Sequence, residues 1–186
     1  ITEIKLRLID LPKNVLSCIA FFKTEDDALN FIDEARQISR RQTTISESKY
    51  DNIISARALE FFDKNSIMFL KYDYPNIPSN SHSAVWFEQD SDHNEDEVMN
   101  NWMDLLNKYN CSEDSVWLAI DKKEQEKFHK FRHAIAVKVN EFITLRNLKK
   151  AGTDNAVPVN HFRFFYLWMK KLVEQENLKY VVYGHF

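Results

Sequence analysis

The sequence predicts an α+β fold, and two observations lead there. Between residues 15 and 120, segments of strand length alternate with segments of helical period in the order β-α-β-β-α-β. At 186 residues the chain can bury one sizeable core, or one domain with a helical addition. This order is the ferredoxin-like, split βαβ arrangement: an antiparallel four-stranded sheet with two helices on one face.

Each element has its own signal. "IKLRLIDLP", ending at Pro12, alternates with period two and predicts a strand over residues 3–10 added at a sheet edge. "VLSCIAFF" is a near-continuous apolar run, as a central strand buried on both faces requires. Thr24 offers an N-cap with acids in the first turn of "TEDDALNFIDEARQIS". Ala28, Phe31, Ile32, Ala35 and Ile38 fall on one stripe of that helix. "RRQTTISESKY" reads as a polar loop. "IISARALEFFD" is the second strand of the core, "KNSIMFLKYDY" a short helix, and Pro75 and Pro78 mark a loop. "SAVWFEQD" is the third strand, and "SDHNEDE" an acidic turn. Val98, Trp102, Leu105, Leu106 and Tyr109 have helical spacing, and "SVWLAI" is the fourth strand.

A C-terminal addition follows. Asp121 and Glu124 have capping-box spacing for a long helix with a stripe of Phe128, Phe131, Ile135, Val139 and Phe142. After "KKAGTDNAVP", Asn160 is the expected cap of a helix that turns Phe165, Trp168, Met169, Leu172 and Val173 inward. "YVVYGHF" predicts a further, buried strand.

Composition excludes several function classes. Apolar residues are 44% and aromatics 13%, with 14 Phe and 7 Tyr, so the core is built on rings. A formal net charge of -3 gives no basic face for nucleic acid. "SAVWFEQD" is acidic and lacks the basic, aromatic strand of an RNA-recognition sheet. No run approaches the roughly 18 apolar residues of a membrane span. No charged, apolar leader opens the chain, so no signal peptide is expected. Cys18 and Cys111 lie far apart in no metal-like spacing, which fits free thiols in a reducing compartment. Only Gly152 and Gly184 are glycines, where about 13 are expected at ~7% usage. Neither a Rossmann fingerprint nor a P-loop can be built from two glycines.

Three places could carry chemistry. Arg132, mid-helix in "KFHKFRHAIAVKVNEF", presents a fork suited to a carboxylate; the plainer reading is an Arg snorkelling at the edge of an apolar stripe. Lys149 and Lys150 in "KKAGTDNAVP" could reach an anion; the alternative is a helix C-terminus closed by Gly152. His185, after Gly184, could be a metal ligand or acid–base group, or simply a structural His. His129 and His133 are spaced i, i+4, but no acid at matching spacing completes a metal site.

In order, "RALEFFD", "AVWFE", "KFRHAIAVKVNEFI", "GTDNAVP" and "YVVYGHF" resemble blocks of the C-terminal, substrate-cap domain of FAD-linked oxidases. That group contains D-lactate, glycolate and D-2-hydroxyglutarate dehydrogenases. The resemblance covers residues 1–186 and implies one cap domain whose FAD sits mainly on a separate N-terminal domain in cis. It implies oxidation of a small 2-hydroxy acid to the 2-oxo acid, with the cofactor carrying the redox chemistry. An electron-acceptor protein or quinone would then reoxidise the flavin, in the cytoplasm or peripherally at the inner membrane face. Arg132 matches the family Arg that clamps the substrate carboxylate. Ala136 stands where one branch has a Thr. Lys149 or Lys150 matches a family substrate Lys. His185 matches the first His of a G-H-x-G-D-x-N-x-H block, which in metal-using members binds a divalent cation such as Zn, Mn or Fe. The second His and the later Glu of that site lie beyond Phe186, so the chain is expected to be an inactive fragment by itself. The competing reading is a stand-alone ferredoxin-like module that binds a metabolite or a protein.

Overall fold

A computed structural model describes residues 2–6, 8, 11–43, 54–91 and 95–186. The core follows the expected order. Strand β1 (Val15–Phe22) leads to helix α1 (Glu25–Thr43), β2 (Ala56–Phe62), the short α2 (Lys64–Leu70), β3 (Ser83–Asp90), α3 (Glu95–Lys108) and β4 (Val116–Leu118). The long α4 (Lys122–Leu145), α5 (Phe162–Gln175) and β5 (Tyr183–His185) complete it. The sheet order is β4-β1-β3-β2-β5, and every pairing is antiparallel. The ferredoxin-like core therefore gains one strand, β5, on the outer side of β2.

Both faces of the sheet are covered. Cys18, Ala20, Phe22, Leu59, Phe61, Val85 and Phe87 point to one face, where they pack with Ala28, Phe31, Ile32, Val98, Trp102 and Leu106 of α1 and α3. Ile19, Phe21, Phe62, Ala84 and Trp86 point to the other, where they meet Ile67 and Leu70 of α2 and Phe128, Phe131 and Ile135 of α4. Two covered faces explain why β1 is apolar almost throughout and why β3 is buried from Ser83 to Gln89. Rings fill both layers: Phe87 stacks on Trp102 at 4.3 Å, and Phe131 meets Phe21, Phe62, Tyr74 and Trp117 edge-on. The buried Trp102 donates its indole N–H to Gln89 Oε1 at 2.8 Å, so its polar atom is satisfied.

The starts of α1 and α4 obey the expected caps. Thr24 Oγ1 accepts the Asp27 N–H at 3.0 Å, and Asp121 Oδ1 accepts that of Glu124 at 2.8 Å. Glu124 reaches back to the N–H of Ile120 rather than Asp121, one residue off the capping box. Helix α1 continues through residues 40–43, into the segment expected as loop, while 44–53 and 92–94 lie outside the described residues.

Several expectations fail. The described residues among 3–10 form no strand, and Ile4, Leu6 and Leu8 are exposed. The β2 edge, where a strand could have been added, is taken by β5. Strand β5 is short and half-exposed rather than buried. Asn160 does not cap α5: residues 159–161 form a 3-10 turn, and His161 holds the cap position without a side-chain bond. The inward stripe of α5 is Phe162, Tyr166 and Met169, so Trp168 and Leu172 are exposed, as are Phe164 and Leu167. In that orientation Arg163 binds Asp26 and Lys170 binds Glu25 on α1.

Asp63 joins β2 to α2. Its Oδ1 accepts the Ser66 N–H at 2.8 Å, and its own N–H reaches Val182 O at 2.9 Å, fastening the approach to β5. Its Oδ2 is buried without a partner. Burial pushes this carboxyl up to about 6 from 3.8, with Glu25 adding to the rise and the Ser66 and Val182 hydrogen bonds opposing it. A carboxyl with a higher pKa folded than unfolded weakens the fold as pH rises from about 4 to about 6, and the loss is constant above that. Asp63→Asn keeps the cap and removes the charge. It should raise stability by on the order of 1–3 kcal/mol at pH 8 and by much less at pH 4, read from urea midpoints at the two pH values. An equal effect at both would contradict this account.

Candidate functional site

The site arises from one row of side chains across three strands. Trp86 on β3 and His185 on β5 both pair with Glu60 on β2. Directly opposed residues share a face with Cβ atoms about 5 Å apart. All three side chains therefore stand on the face covered by α4. Glu60 is the exception in a strand reading ARALEFF: a carboxylate only 5% exposed. Desolvating an isolated carboxylate costs several kcal/mol, so it needs a cation and hydrogen bonds.

Arg132 supplies both. It sits on α4 one position after Phe131, so packing the Phe131 ring into the core carries Arg132 to the margin of the same face. Its Nε donates to Glu60 Oε2, its Nη2 lies against His185 Nε2, and its guanidinium carbon is 5.3 Å from the Trp86 ring centre. One helix residue thus meets every member of the row. A guanidinium has donors only, so Nε2 of His185 must accept, which puts the neutral ring's proton on Nδ1. That nitrogen lies 3.7 Å from Glu60 Oε2. The Arg has five N–H donors, so some of its fork remains for a ligand. The snorkelling reading of Arg132 is too weak for these contacts.

A second pair lies beside the first. Glu88, also 5% exposed, is 3.4 Å from His129 Nε2 and 3.7 Å from Arg57 Nε. The His129 ring meets Trp86 edge-on at 5.3 Å, so Trp86 is flanked by His129 and Arg132, one turn apart on α4. Trp86 itself donates to Ser17 Oγ at 3.2 Å.

The structure brings Arg132 and His185 together but not the lysines. Helix α4 ends at Leu145, with Asn147 in the left-handed conformation (φ 50°) and Leu148 N–H bonded to Ile143 O. Lys149 and Lys150 are exposed beyond that end, and Gly152 does not close the helix. Lys150 Nζ bonds Asn140 Oδ1 at 3.1 Å. Asn140 lies eight residues, about 12 Å along the helix, from Arg132. Ala136, one turn from Arg132, offers no hydroxyl. Nothing lies within 4 Å of a Cβ built on Gly184, so no close approach demands glycine there.

These residues do not form a metal site. Among the described residues, no three His, Cys, Asp or Glu side chains are grouped to hold an ion. At His185 a guanidinium already stands where a cation would bind. Nor do the described residues form a phosphate cradle for FAD, having two glycines in separate segments.

Glu60 and Trp86 were missed by sequence reasoning. The available signal was an acid inside each of two apolar strands, in "ALEFF" and "VWFEQD". Arg132→Met would leave Glu60 buried and unpaired. It should cost about 2–4 kcal/mol in urea unfolding, and adding Glu60→Gln should recover most of that loss.

Comparison with known proteins fits this architecture. No curated protein matches the chain. The profile of FAD linked oxidases, C-terminal domain, matches residues 11–186, all but the first ten residues. The chain therefore belongs to the family of FAD-linked oxidase C-terminal domains.

Proposed function

We propose that this domain binds the carboxylate of a small 2-hydroxy acid, D-lactate-like in class, and presents it for oxidation to the 2-oxo acid. The observation that carries this reading is the meeting of Arg132 and His185, distant in sequence, at one buried carboxylate. Family membership supplies the redox class, since FAD-linked oxidases transfer electrons to a flavin. The flavin, held by an FAD-binding domain in cis, supplies the two-electron acceptor for the substrate's C2 hydride.

The chain's own residues then have defined tasks. The open part of the Arg132 fork takes the carboxylate in two parallel hydrogen bonds. The Trp86 ring lies 5.3 Å from the guanidinium carbon and limits its swing. A substrate carboxylate competes for the Nη2 donor that faces His185, and so releases the Nε2 lone pair. His185 is then free to take the hydroxyl proton as C2 gives up its hydride. Lys149 and Lys150 act only as a basic approach for anionic substrates, being remote from the fork. The buried thiols Cys18 and Cys111, each pushed up to about 12 by burial, fit a reducing cytoplasmic setting. No helix among the described residues is long and apolar enough to cross a membrane.

The test uses the polypeptide that carries this chain together with its flavin. Anaerobic addition of D-lactate, glycolate or D-2-hydroxyglutarate should bleach the flavin absorbance with at least one of them. Arg132→Lys should lower kcat/KM by at least tenfold, because a point charge cannot replace a bidentate fork. No bleaching by any 2-hydroxy acid would overturn the reading. So would unchanged efficiency in Arg132→Lys.

A further inference from the structure

The polar groups of the sheet face beneath α4 do not all have a task in the reading above. Glu60 is only 5% exposed and touches both residues that meet the substrate. A carboxylate in this position could merely neutralise Arg132. Its geometry does more than that. It engages Nε, the one N–H on the stem side of the guanidinium, and leaves the Nη end of the fork clear of itself. The Trp86 ring lies 5.3 Å from the guanidinium carbon and limits tilting of its plane. Glu60 is itself fixed, because it pairs with Trp86 on one side and His185 on the other in the sheet register. An Arg side chain otherwise loses rotamer entropy when it is ordered at the moment of binding. Here that ordering precedes the ligand.

We propose that Glu60 is the positioning residue of the site: its buried carboxylate fixes the Arg132 guanidinium so that the free end of the fork is preset for the substrate carboxylate. This rests on the 2-hydroxy-acid reading. Glu60 touches no substrate and moves no proton in this role; it acts through Arg132. Preset binding contributes equally to the ground state and the transition state, so its loss should appear in KM rather than kcat.

The experiment is a double-mutant cycle on the flavin-loaded protein with the 2-hydroxy acid that bleaches the parent best. Glu60→Gln should raise KM about tenfold and change kcat less than threefold. In an Arg132→Lys background the same substitution should change KM less than twofold, since no fork remains to be positioned. Glu60→Asp, which keeps the charge but withdraws it by one methylene, should also raise KM, by about three- to fivefold. It replaces Glu60→Gln if the latter does not fold. Thermal melting of each variant separates these effects from loss of structure. An unchanged KM in both Glu60 variants would overturn the proposal, and so would independent multiplication of the Glu60 and Arg132 effects. Failure of the parent to bleach with any 2-hydroxy acid is a different result: it removes the functional reading first, and this inference with it.

Discussion

A sheet that is apolar on both faces cannot leave either face in water, and this constraint organises the whole domain. The α1 and α3 pair covers one face, as the split βαβ order requires. The other is covered by α2 and the 24-residue α4, which brings Phe128, Phe131, Ile135 and Val139 against Phe21, Phe62 and Trp86. Each large buried side chain contributes about 1.5–3 kcal/mol on removal from water, so this layer outweighs any polar contact near it. The polar residues lying within it must adapt to the packing, not the reverse.

Glu60 and Glu88 are such residues. Both project from central strands into the layer beneath α4, and both are nearly inaccessible to water. Burying a carboxylate is tolerated only with a cation beside it, so Arg132 meets Glu60, and His129 and Arg57 meet Glu88. Such pairs add little net stability, because desolvation offsets most of the Coulomb gain. What they provide is fixed geometry. At Glu60 this places an Arg fork, an imidazole and an indole ring at one point.

His185 reaches that point only because β5 adds to the edge of β2. The addition is held from both ends. Val182 O accepts from Asp63 N–H and Ser66 Oγ, and the Phe186 ring packs on Phe162 at 4.1 Å and on Phe61 at 6.1 Å. Helix α5 is in turn tied to α1 through Lys170–Glu25 and Arg163–Asp26. Alternation along β5 then settles the faces: Phe186 turns to the α1 side and His185 to the α4 side.

The sequence by itself determined the order of core elements, the central place of "VLSCIAFF", the caps at Thr24 and Asp121, and the interest of Arg132 and His185. These are local matters: period, capping chemistry and residue type act over a few residues and can be read along the chain. Tertiary structure alone decided that α4 covers the second face, that residues 3–6 and 8 remain out of the sheet, and that α5 turns Tyr166 inward and Trp168 outward. It alone ended α4 at Leu145, with Asn147 left-handed beyond it, rather than at Gly152, and sent Lys149 and Lys150 away from Arg132. It alone made Glu60 the centre of the site. In the sequence Glu60 and Arg132 are 72 residues apart, and Arg132 and His185 are 53 apart. Only strand register and helix docking can set such separations to contact distance, because both are fixed by how whole apolar faces fit together.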